Sequence, residues 1–162
     1  MKKYEFTGET KQWLGRTLHR IRAISDFGNV SAGEVGGWIE KEENLSHDGN
    51  AWVYGNARVC DNARVCGSAQ VCGNAQVCGN AQIFKPSHCI TVGPLGSRND
   101  FTTFFRTKDL KIGVTCGCFR GDIDAFAEKV RQTHGDNEHA KRYMAAIVMA
   151  KDCIDLTAGE ST

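Results

Sequence analysis

Small apolar side chains recur every six residues between Gly49 and Phe84, and this periodicity is the strongest pattern in the chain. The segment reads GNAWVY, GNARVC, DNARVC, GSAQVC, GNAQVC and GNAQIF, which are six units on one template, G-N-A-x-V-x. A fixed repeat indicates the architecture before any single residue does. Alternation along a strand directs Ala and Val to one face and the residue between them to the other. We therefore expect one short strand per unit with Ala and Val inward, while Gly and Asn form the corners.

Two sets of side chains in the repeat are predicted to point outward. Those between Ala and Val are Trp52, Arg58, Arg64, Gln70, Gln76 and Gln82. Those that follow Val or Ile are Tyr54, Cys60, Cys66, Cys72, Cys78 and Phe84. The exposed Tyr, Cys and Phe side chains predict a seam between subunits of a dimer or trimer. The predicted contacts for a partner protein are Trp52, Tyr54, Arg58 and Arg64.

The cysteines of the repeat are predicted to be small apolar residues rather than ligands. Residues 18 apart stack in a three-sided coil, so successive cysteines lie on different faces and cannot converge on one metal ion. Cys60 and Cys78 do stack and lie within reach of a disulfide, but a reducing compartment disfavours that bond. No metal is predicted.

The repeat resembles the left-handed parallel β-helix of hexapeptide-repeat proteins, although Gly stands one place later than in the acyltransferases of that group. The handedness is what this resemblance implies. Ile39, Leu45 and Ala51 keep the six-residue step, so the coil is expected to begin near residue 30 and to make about three turns. Hexapeptide-repeat enzymes place catalytic or zinc-binding His residues along clefts between subunits, and the regular repeat here contains no His. This argues against acetyltransferase and carbonic anhydrase activity.

The segments that flank the repeat predict an N-terminal β element and a C-terminal α+β unit. Strands are expected in KYEFTG and TLHRIRAI before the repeat, and Pro86 ends it. The remainder reads β-β-β-α-α, with amphipathic helices in GDIDAFAEKVRQTHG and DNEHAKRYMAAIVMAKDCIDL. The predicted fold is mainly β with an α+β tail: a short left-handed parallel β-helix followed by a small α+β domain with two C-terminal helices. The predicted divisions are 1–29, an N-terminal β cap; 30–86, the solenoid; 87–157, the α+β domain; and 158–162, a disordered tail.

Composition narrows the function classes. The net charge of +1 indicates neither a broad nucleic-acid footprint nor an acidic mimic of DNA. Arg16, Arg20 and Arg22 make the N-terminal segment basic, either as a solvated strand face or as a contact for an anionic partner. The start, MKKYEFTGET, lacks an apolar signal region, and no apolar run is long enough for a bilayer. We therefore expect a soluble, cytoplasmic protein that makes no membrane contact and whose eight cysteines are free thiols.

The loop GPLGSRND is the segment most typical of a ligand site. Its glycines allow close approach of the backbone, and nearby side chains offer donors to a phosphate or carboxylate. The alternative is a structural turn in which Arg98 pairs with Asp100 or with a carboxylate on a helix. The predicted ligand-binding residues are Ser97, Arg98, Asn99, Thr102 and Thr103.

Two further residues are candidates for chemistry. Cys118 is predicted near a helix N-terminus, which lowers the pKa of a thiol, and His134 is predicted between the two helices. The alternatives are a structural thiol for Cys118 and helix-end contacts for His134. The sequence specifies no partner for either, so no catalytic residue and no cofactor are predicted.

Long motifs of the chain resemble those of a group of uncharacterised proteins from phages and prophages of Gram-positive bacteria. The motifs are KKYEFTGET, RTLHRIRAISDFGNV, GEVGGWIEKEENLSH, GNAWVYGNARV, VGPLGSRNDFTTFFRTKD and THGDNEHAKRY. Phage accessory proteins of this size often counter host defence. The resemblance therefore implies a non-catalytic binding protein that inhibits a bacterial defence protein or ribonucleoprotein, such as a CRISPR effector, in the host cytoplasm. The alternatives are a protein that sequesters a nucleotide immune signal through the 93–103 loop, and an enzyme that uses Cys118 or His134.

Overall fold

The structure, a computed structural model, describes residues 1–157, so the predicted disordered tail at 158–162 lies outside the described residues. The chain is mainly β with two helices at its C-terminal end, as the sequence predicts for an α+β arrangement. The strands are β1 (Tyr4–Trp13), β2 (Arg16–Ala23), β3 (Val35–Ile39), β4 (Trp52–Val53), β5 (Arg58–Val59), β6 (Arg64–Val65), β7 (Gln70–Val71), β8 (Gln76–Val77), β9 (Gln82–Ile83), β10 (Cys89–Leu95), β11 (Asp100–Arg106), β12 (Ile112–Cys116) and β13 (Phe119–Asp122). The helices are α1 (Ile123–His134) and α2 (Glu138–Cys153).

The short strands of the repeat pair in parallel with the strand three units further along. Strand β4 pairs with β7, β5 with β8 and β6 with β9. Each pair is offset by 18 residues, as in the partners Val53 and Val71. Strand β3 joins the β5–β8 ladder, and the hairpin β1–β2 joins β3, which gives a five-stranded sheet in the order β1-β2-β3-β5-β8.

The inward orientation predicted for Ala and Val is confirmed. The six Ala and six Val or Ile positions of the repeat are each at most 2% exposed and belong to one apolar core. Ahead of the repeat, Ile39 stands over Val59 and Leu45 over Val65. Ala51 is inward as well, but the residue that continues the stack of Ile39 and Leu45 over valines is Val53, which pairs with Val71, because two extra residues separate Leu45 from the first repeat strand.

The N-terminal hairpin closes one end of the repeat. The ammonium group of Lys3 is buried and donates to the carbonyl oxygens of Gly49 (3.1 Å) and Ala51 (2.8 Å). The Tyr4 hydroxyl donates to the carbonyl oxygen of Leu45 at 2.8 Å. These side chains satisfy backbone acceptors that the first turn would otherwise leave unpaired in the interior. Gly36 allows β3 to pack closely here, because a Cβ on it would lie 2.7 Å from Cζ2 of Trp52.

The C-terminal sheet, in the order β10-β11-β12-β13, closes the other end. Gln76 lies on β8, the last strand of one ladder, and forms two hydrogen bonds to this sheet. Its N–H donates to Thr103 Oγ1 (3.0 Å), and its carbonyl oxygen accepts from Thr115 Oγ1 (2.6 Å). Phe105, 5% exposed, reaches from β11 into the core of the repeat. An open sheet edge invites pairing with another chain, and side chains from this sheet cover it.

The two helices cover the other face of the C-terminal sheet and enclose a second apolar core with Phe104, Val114, Phe126 and Ile147 among its members. The Asp122 side chain caps α1 by accepting a hydrogen bond from the Ala125 N–H, and the Asn137 side chain caps α2 by accepting from the Ala140 N–H. Strand β13 was missed by the sequence analysis. Among the described residues, no helix combines the length and apolar character needed to cross a membrane.

Candidate functional site

One face of the five-stranded sheet carries cations set against tryptophan rings. We call Lys11, Trp13, Arg20, Trp38 and Arg58 the cation–tryptophan face. Strand register places them side by side, since Arg20 is paired with Trp38, and Trp38 with Arg58. The Lys11 ammonium lies 4.2 Å and the Arg20 guanidinium 5.1 Å from the Trp38 ring centre, while the Arg58 guanidinium lies 5.1 Å from that of Trp13. Aromatic faces attract cations, so the two tryptophans hold these groups in place.

No carboxylate of the described residues forms an ion pair with these three cations, although Glu9 acts on Lys11 from a greater distance. Within residues 1–157, Lys11, Arg20 and Arg58 form no ion pair, whereas nearby Arg16 pairs with Asp61, and Arg22 with Glu5. The Nε atoms of Arg20 and Arg58 are buried and have no hydrogen-bond partner in the described part of the chain. Burial, and then the charges of Arg58 and Arg20, lower the pKa of Lys11. The face therefore carries concentrated positive charge that an anionic group would relieve.

A cleft opens beside Arg58, between the repeat and the hairpin that joins β10 to β11. It has a volume of about 280 Å³. We call it the hairpin cleft, and its lining is Asn56, Arg58, Asn74, Gln76, Asn99, Asp100, Phe101 and Gly117. Three amide side chains at corners and turns, Asn56, Asn74 and Asn99, add hydrogen-bond donors and acceptors to this lining. Asp100 contributes the carboxylate of this lining, so an anion is expected on the Arg58 side.

The structure brings together two groups that the sequence analysis predicted separately. Arg58 was predicted as a partner contact and Asn99 as a ligand contact, and both line the hairpin cleft. Ser97 and Arg98 are exposed at the tip of the same hairpin. The predicted pairing of Arg98 with Asp100 is not among the ion pairs of the described residues.

Thr102 and Thr103 do not belong to the site, which corrects the prediction for the 93–103 loop. Both are at most 1% exposed. The Thr103 hydroxyl accepts from the backbone of Gln76, and the Thr102 hydroxyl donates to Cys116 Sγ at 3.2 Å. Both residues lie on β11 rather than in the loop. The Thr103 hydroxyl joins β11 to the repeat, and the Thr102 hydroxyl joins β11 to β12.

Trp52 is also wrong as a partner contact, because it is fully buried. It belongs to the same apolar core as the inward residues of the repeat, and the N-terminal segment folds over it. Its ring meets Phe27 at 5.3 Å and Tyr4 at 6.2 Å between centroids. Tyr54 is half-buried, and Arg64 is exposed in a separate wide groove with Lys41 and Lys108.

The predicted seam of exposed Tyr, Cys and Phe is reduced in the same way. Cys60 and Cys78 are buried beneath Leu18 and Trp38, and Phe84 lies under Arg106 and the His88 ring. The N-terminal hairpin supplies the cover for the two cysteines, which a reading of the repeat alone does not include. Association into a dimer or trimer stays a prediction.

The thiol and imidazole singled out for chemistry lie apart from the cleft. Cys118 is exposed in the turn between β12 and β13. His134 ends α1 with its ring stacked on Tyr143, at 5.7 Å between centroids. Cys116, not Cys118, lines the small cavity of about 130 Å³ that His134 and Tyr143 share. Burial, followed by the charge of Cys116, raises the pKa of Tyr143 to about 12, so its hydroxyl stays protonated.

Sequence reasoning missed Lys11, Trp13 and Trp38 as parts of one face. The signal was present in the N-terminal hairpin, where Lys11 and Trp13 alternate on one strand and Arg16, Leu18 and Arg20 on the next. The face can be recognised only once the pairing of β2, β3 and β5 is known, and no local sequence pattern specifies that pairing.

Comparison with known proteins yields one partial similarity. No family model matches the chain. An Escherichia coli (strain K12) protein named "Uncharacterized acetyltransferase YdcK" is 47% identical over 51 residues. The similar region is 32% of this chain and 15% of that protein, so the chain spans only a small part of its relative.

Proposed function

We propose that the protein is a non-catalytic binding protein whose cation–tryptophan face and hairpin cleft recognise an anionic group on a larger partner. The observation that carries this proposal is a set of three cations without an ion pair, Lys11, Arg20 and Arg58, held on tryptophan rings. Arg58 also lines the hairpin cleft. A fixed cluster of this kind favours phosphate or carboxylate, since guanidinium groups match their geometry.

The size of the cleft favours a macromolecular partner over a fully enclosed small ligand. Pockets that bury a small molecule usually measure about 300–1,000 Å³. The hairpin cleft, at about 280 Å³, lies just below that range and continues onto an open face. In the setting implied by the resemblance to phage proteins, the partner is a bacterial defence protein or ribonucleoprotein, which this chain binds and inhibits.

The same proposal extends to the architecture. The 18-residue offset of the parallel ladders and the inward Ala and Val support a short β-helix, with the hairpin and the C-terminal sheet as its two caps. Its left-handedness follows the resemblance to hexapeptide-repeat proteins.

The repeat offers a matched pair of variants to test the binding face. Arg58 and Arg64 occupy the same position in consecutive units, but only Arg58 belongs to the face. Tagged wild-type protein, Arg58→Gln and Arg64→Gln are used to capture partners from a bacterial host lysate, with quantification by mass spectrometry. We expect a stoichiometric partner whose recovery falls at least tenfold with Arg58→Gln and is unchanged with Arg64→Gln. Equal recovery with Arg58→Gln, or no stoichiometric partner at all, contradicts the proposal.

A second candidate function is sequestration of a free nucleotide, which the four amide side chains of the cleft, Asn56, Asn74, Gln76 and Asn99, favour. Thermal unfolding is followed with ATP, cyclic dinucleotides, coenzyme A and acetyl-coenzyme A. A ligand present at 100 times its Kd stabilises by about 2.7 kcal/mol, which raises Tm by about 5–10 °C in a chain of this size. A shift with a nucleotide that is lost in Arg58→Gln supports this candidate over the first.

The name of the Escherichia coli relative makes acetyl transfer the enzymatic alternative. A Tm shift specific to acetyl-coenzyme A, together with label transfer from its acetyl group, would favour that alternative. The absence of His between residues 49 and 84 weighs against it.

A further inference from the structure

Cys60 and Cys78 form a stacked thiol pair on neighbouring strands. Each follows the inward valine of its unit, and the valines Val59 and Val77 are register partners in β5 and β8. The Cys60 N–H donates to the Val77 carbonyl at 3.0 Å, and the two sulfur atoms lie 2.8 Å apart. We propose that this pair is a redox site at which Cys60 and Cys78 form a reversible intramolecular disulfide.

The geometry allows the bond without movement of the backbone. Adjacent strands lie about 4.8 Å apart, and Cα atoms joined by a disulfide lie about 4.4–6.8 Å apart. No other cysteines of the repeat stack in this way, because Tyr54 stands over Cys72 and Cys66 over Phe84 at the 18-residue offset. The 18-residue offset of the repeat therefore brings Cys60 and Cys78, and no other two cysteines of the repeat, into register.

A metal ion is a poorer occupant of these sulfur atoms, although the Asp61 carboxylate lies close enough to complete a three-ligand cluster. The carboxylate is already bound by Arg16, with Nε at 2.6 Å, and by the Gly79 N–H at 3.0 Å, and Arg120 approaches to 3.7 Å. Two guanidinium groups oppose a cation here. Two thiolates on one zinc ion, each bonded at about 2.3 Å in a tetrahedron, would stand about 3.8 Å apart, which exceeds the separation observed.

Of the two cysteines, Cys78 is the one that borders a cavity. Cys78 lines a cavity of about 340 Å³ between the repeat and the C-terminal sheet, with Asp61 and Arg120 on the same wall. Cys60 is not part of that lining. The contact with Cys78, followed by burial, raises the pKa of the Cys60 thiol. Cys78 is therefore the sulfur that reacts first.

A peroxide serves as the oxidant, and the atoms balance in two steps. The Cys78 thiolate attacks one oxygen of hydrogen peroxide, the O–O bond breaks, and hydroxide leaves, which gives a sulfenic acid on Cys78. The Cys60 thiolate then attacks the Cys78 sulfur, the S–O bond breaks, and a second hydroxide leaves. The two thiol protons convert both hydroxides to water, and the two electrons lost by sulfur reduce the peroxide.

The bond would tie together the strands that carry Arg58 and Gln76 in the hairpin cleft. It would close a loop of about 18 residues, which for a protein of this length corresponds to a rise in Tm of roughly 6–10 °C. The oxidised protein should therefore unfold at a higher temperature than the reduced protein, and dithiothreitol should reverse the difference.

The test uses the full-length wild-type protein and peptide mapping, so it does not depend on a variant that folds. Protein is treated with one equivalent of hydrogen peroxide, remaining thiols are alkylated, and tryptic peptides are analysed. Cleavage after Arg58 and Arg64 isolates Cys60 in its own peptide, 59–64. We expect that peptide linked to the one containing Cys78, and unlinked after dithiothreitol.

Variants then separate this pair from the exposed thiols. Cys72→Ser, in the same repeat, should retain the link and the Tm rise, and Cys60→Ser and Cys78→Ser should each lose both. The proposal is overturned if peptide 59–64 stays alkylated while other cysteines are oxidised. It is also overturned if one equivalent of zinc binds and protects Cys60 and Cys78 from alkylation.

Discussion

His88 makes the junction between the repeat and the C-terminal sheet sensitive to acid. The residue is fully buried, and its Nδ1 accepts a hydrogen bond from the Phe84 N–H at 3.1 Å. That bond requires a neutral ring with its proton on Nε2. Burial, and then the charges of Arg106 and Lys85, lower the pKa of His88 to about 4, while Asp155 acts in the opposite direction.

The sign and size of the effect follow from the two pKa values. An unfolded chain has a histidine pKa of about 6.5, so above pH 6.5 the ring is neutral in both states and contributes no pH dependence. Between pH 6.5 and 4 the unfolded chain takes up a proton that the folded protein excludes, so stability falls as the pH falls. The loss attributable to His88 is about 2 kcal/mol at pH 5 and approaches about 3 kcal/mol at lower pH.

Urea unfolding at pH 7, 6 and 5 measures this loss in the wild type and in His88→Asn, whose amide oxygen can still accept from Phe84. The free energy of unfolding should fall by about 2 kcal/mol more in the wild type than in the variant between pH 7 and pH 5. Ser87→Ala, on the same turn, leaves the imidazole in place and should keep the wild-type slope. Parallel slopes for the wild type and His88→Asn would refute the reasoning.

Two further predictions concern residues that join separate segments of the chain. Trp52→Ala should lower the free energy of unfolding by about 3–5 kcal/mol, since it removes a buried ring, whereas Gln70→Ala, its exposed register partner, should change it by less than about 0.5 kcal/mol. Phe105→Ala should cost about 3–5 kcal/mol by emptying the end of the repeat core, and the exposed Val148→Ala on α2 is its control. Urea midpoints check both, and a change in partner capture by Trp52→Ala without loss of stability would contradict its structural assignment.

Local chemistry predicted the interior of the repeat correctly, because a six-residue template with Ala and Val has few ways to bury them. The helix caps depend on equally local contacts, since Asp122 and Asn137 accept hydrogen bonds from amides three residues away. In each case the deciding contacts are close in sequence or fixed by the period.

Burial of the outward residues was not readable, because it depends on segments far away in the chain. Trp52 and Arg64 occupy the same position in their repeat units. Nevertheless, Tyr4 and Phe27 cover Trp52, whereas Arg64 is exposed. Lys11 joins the candidate site for a similar reason, since the pairing of β1, β2, β3 and β5 places it near Arg58. The sequence shows that Asp61 stands where the template has Gly. It does not show that the Asp61 carboxylate contacts Arg16 and Gly79.

Because both ends of the repeat are covered, the length of the repeat sets the distance between the two hairpins. The hairpin that carries Lys11 and Arg20 sits at one end, and the β10–β11 hairpin that carries Asn99 is held at the other through Thr103 and Thr115. In the β-helix that we propose, each added turn of about 18 residues would separate the two by about 4.8 Å without altering either group. Chains that differ only in the number of GNAxVx units would therefore present the same chemistry at a different span, and partner choice could be tuned in whole-turn steps.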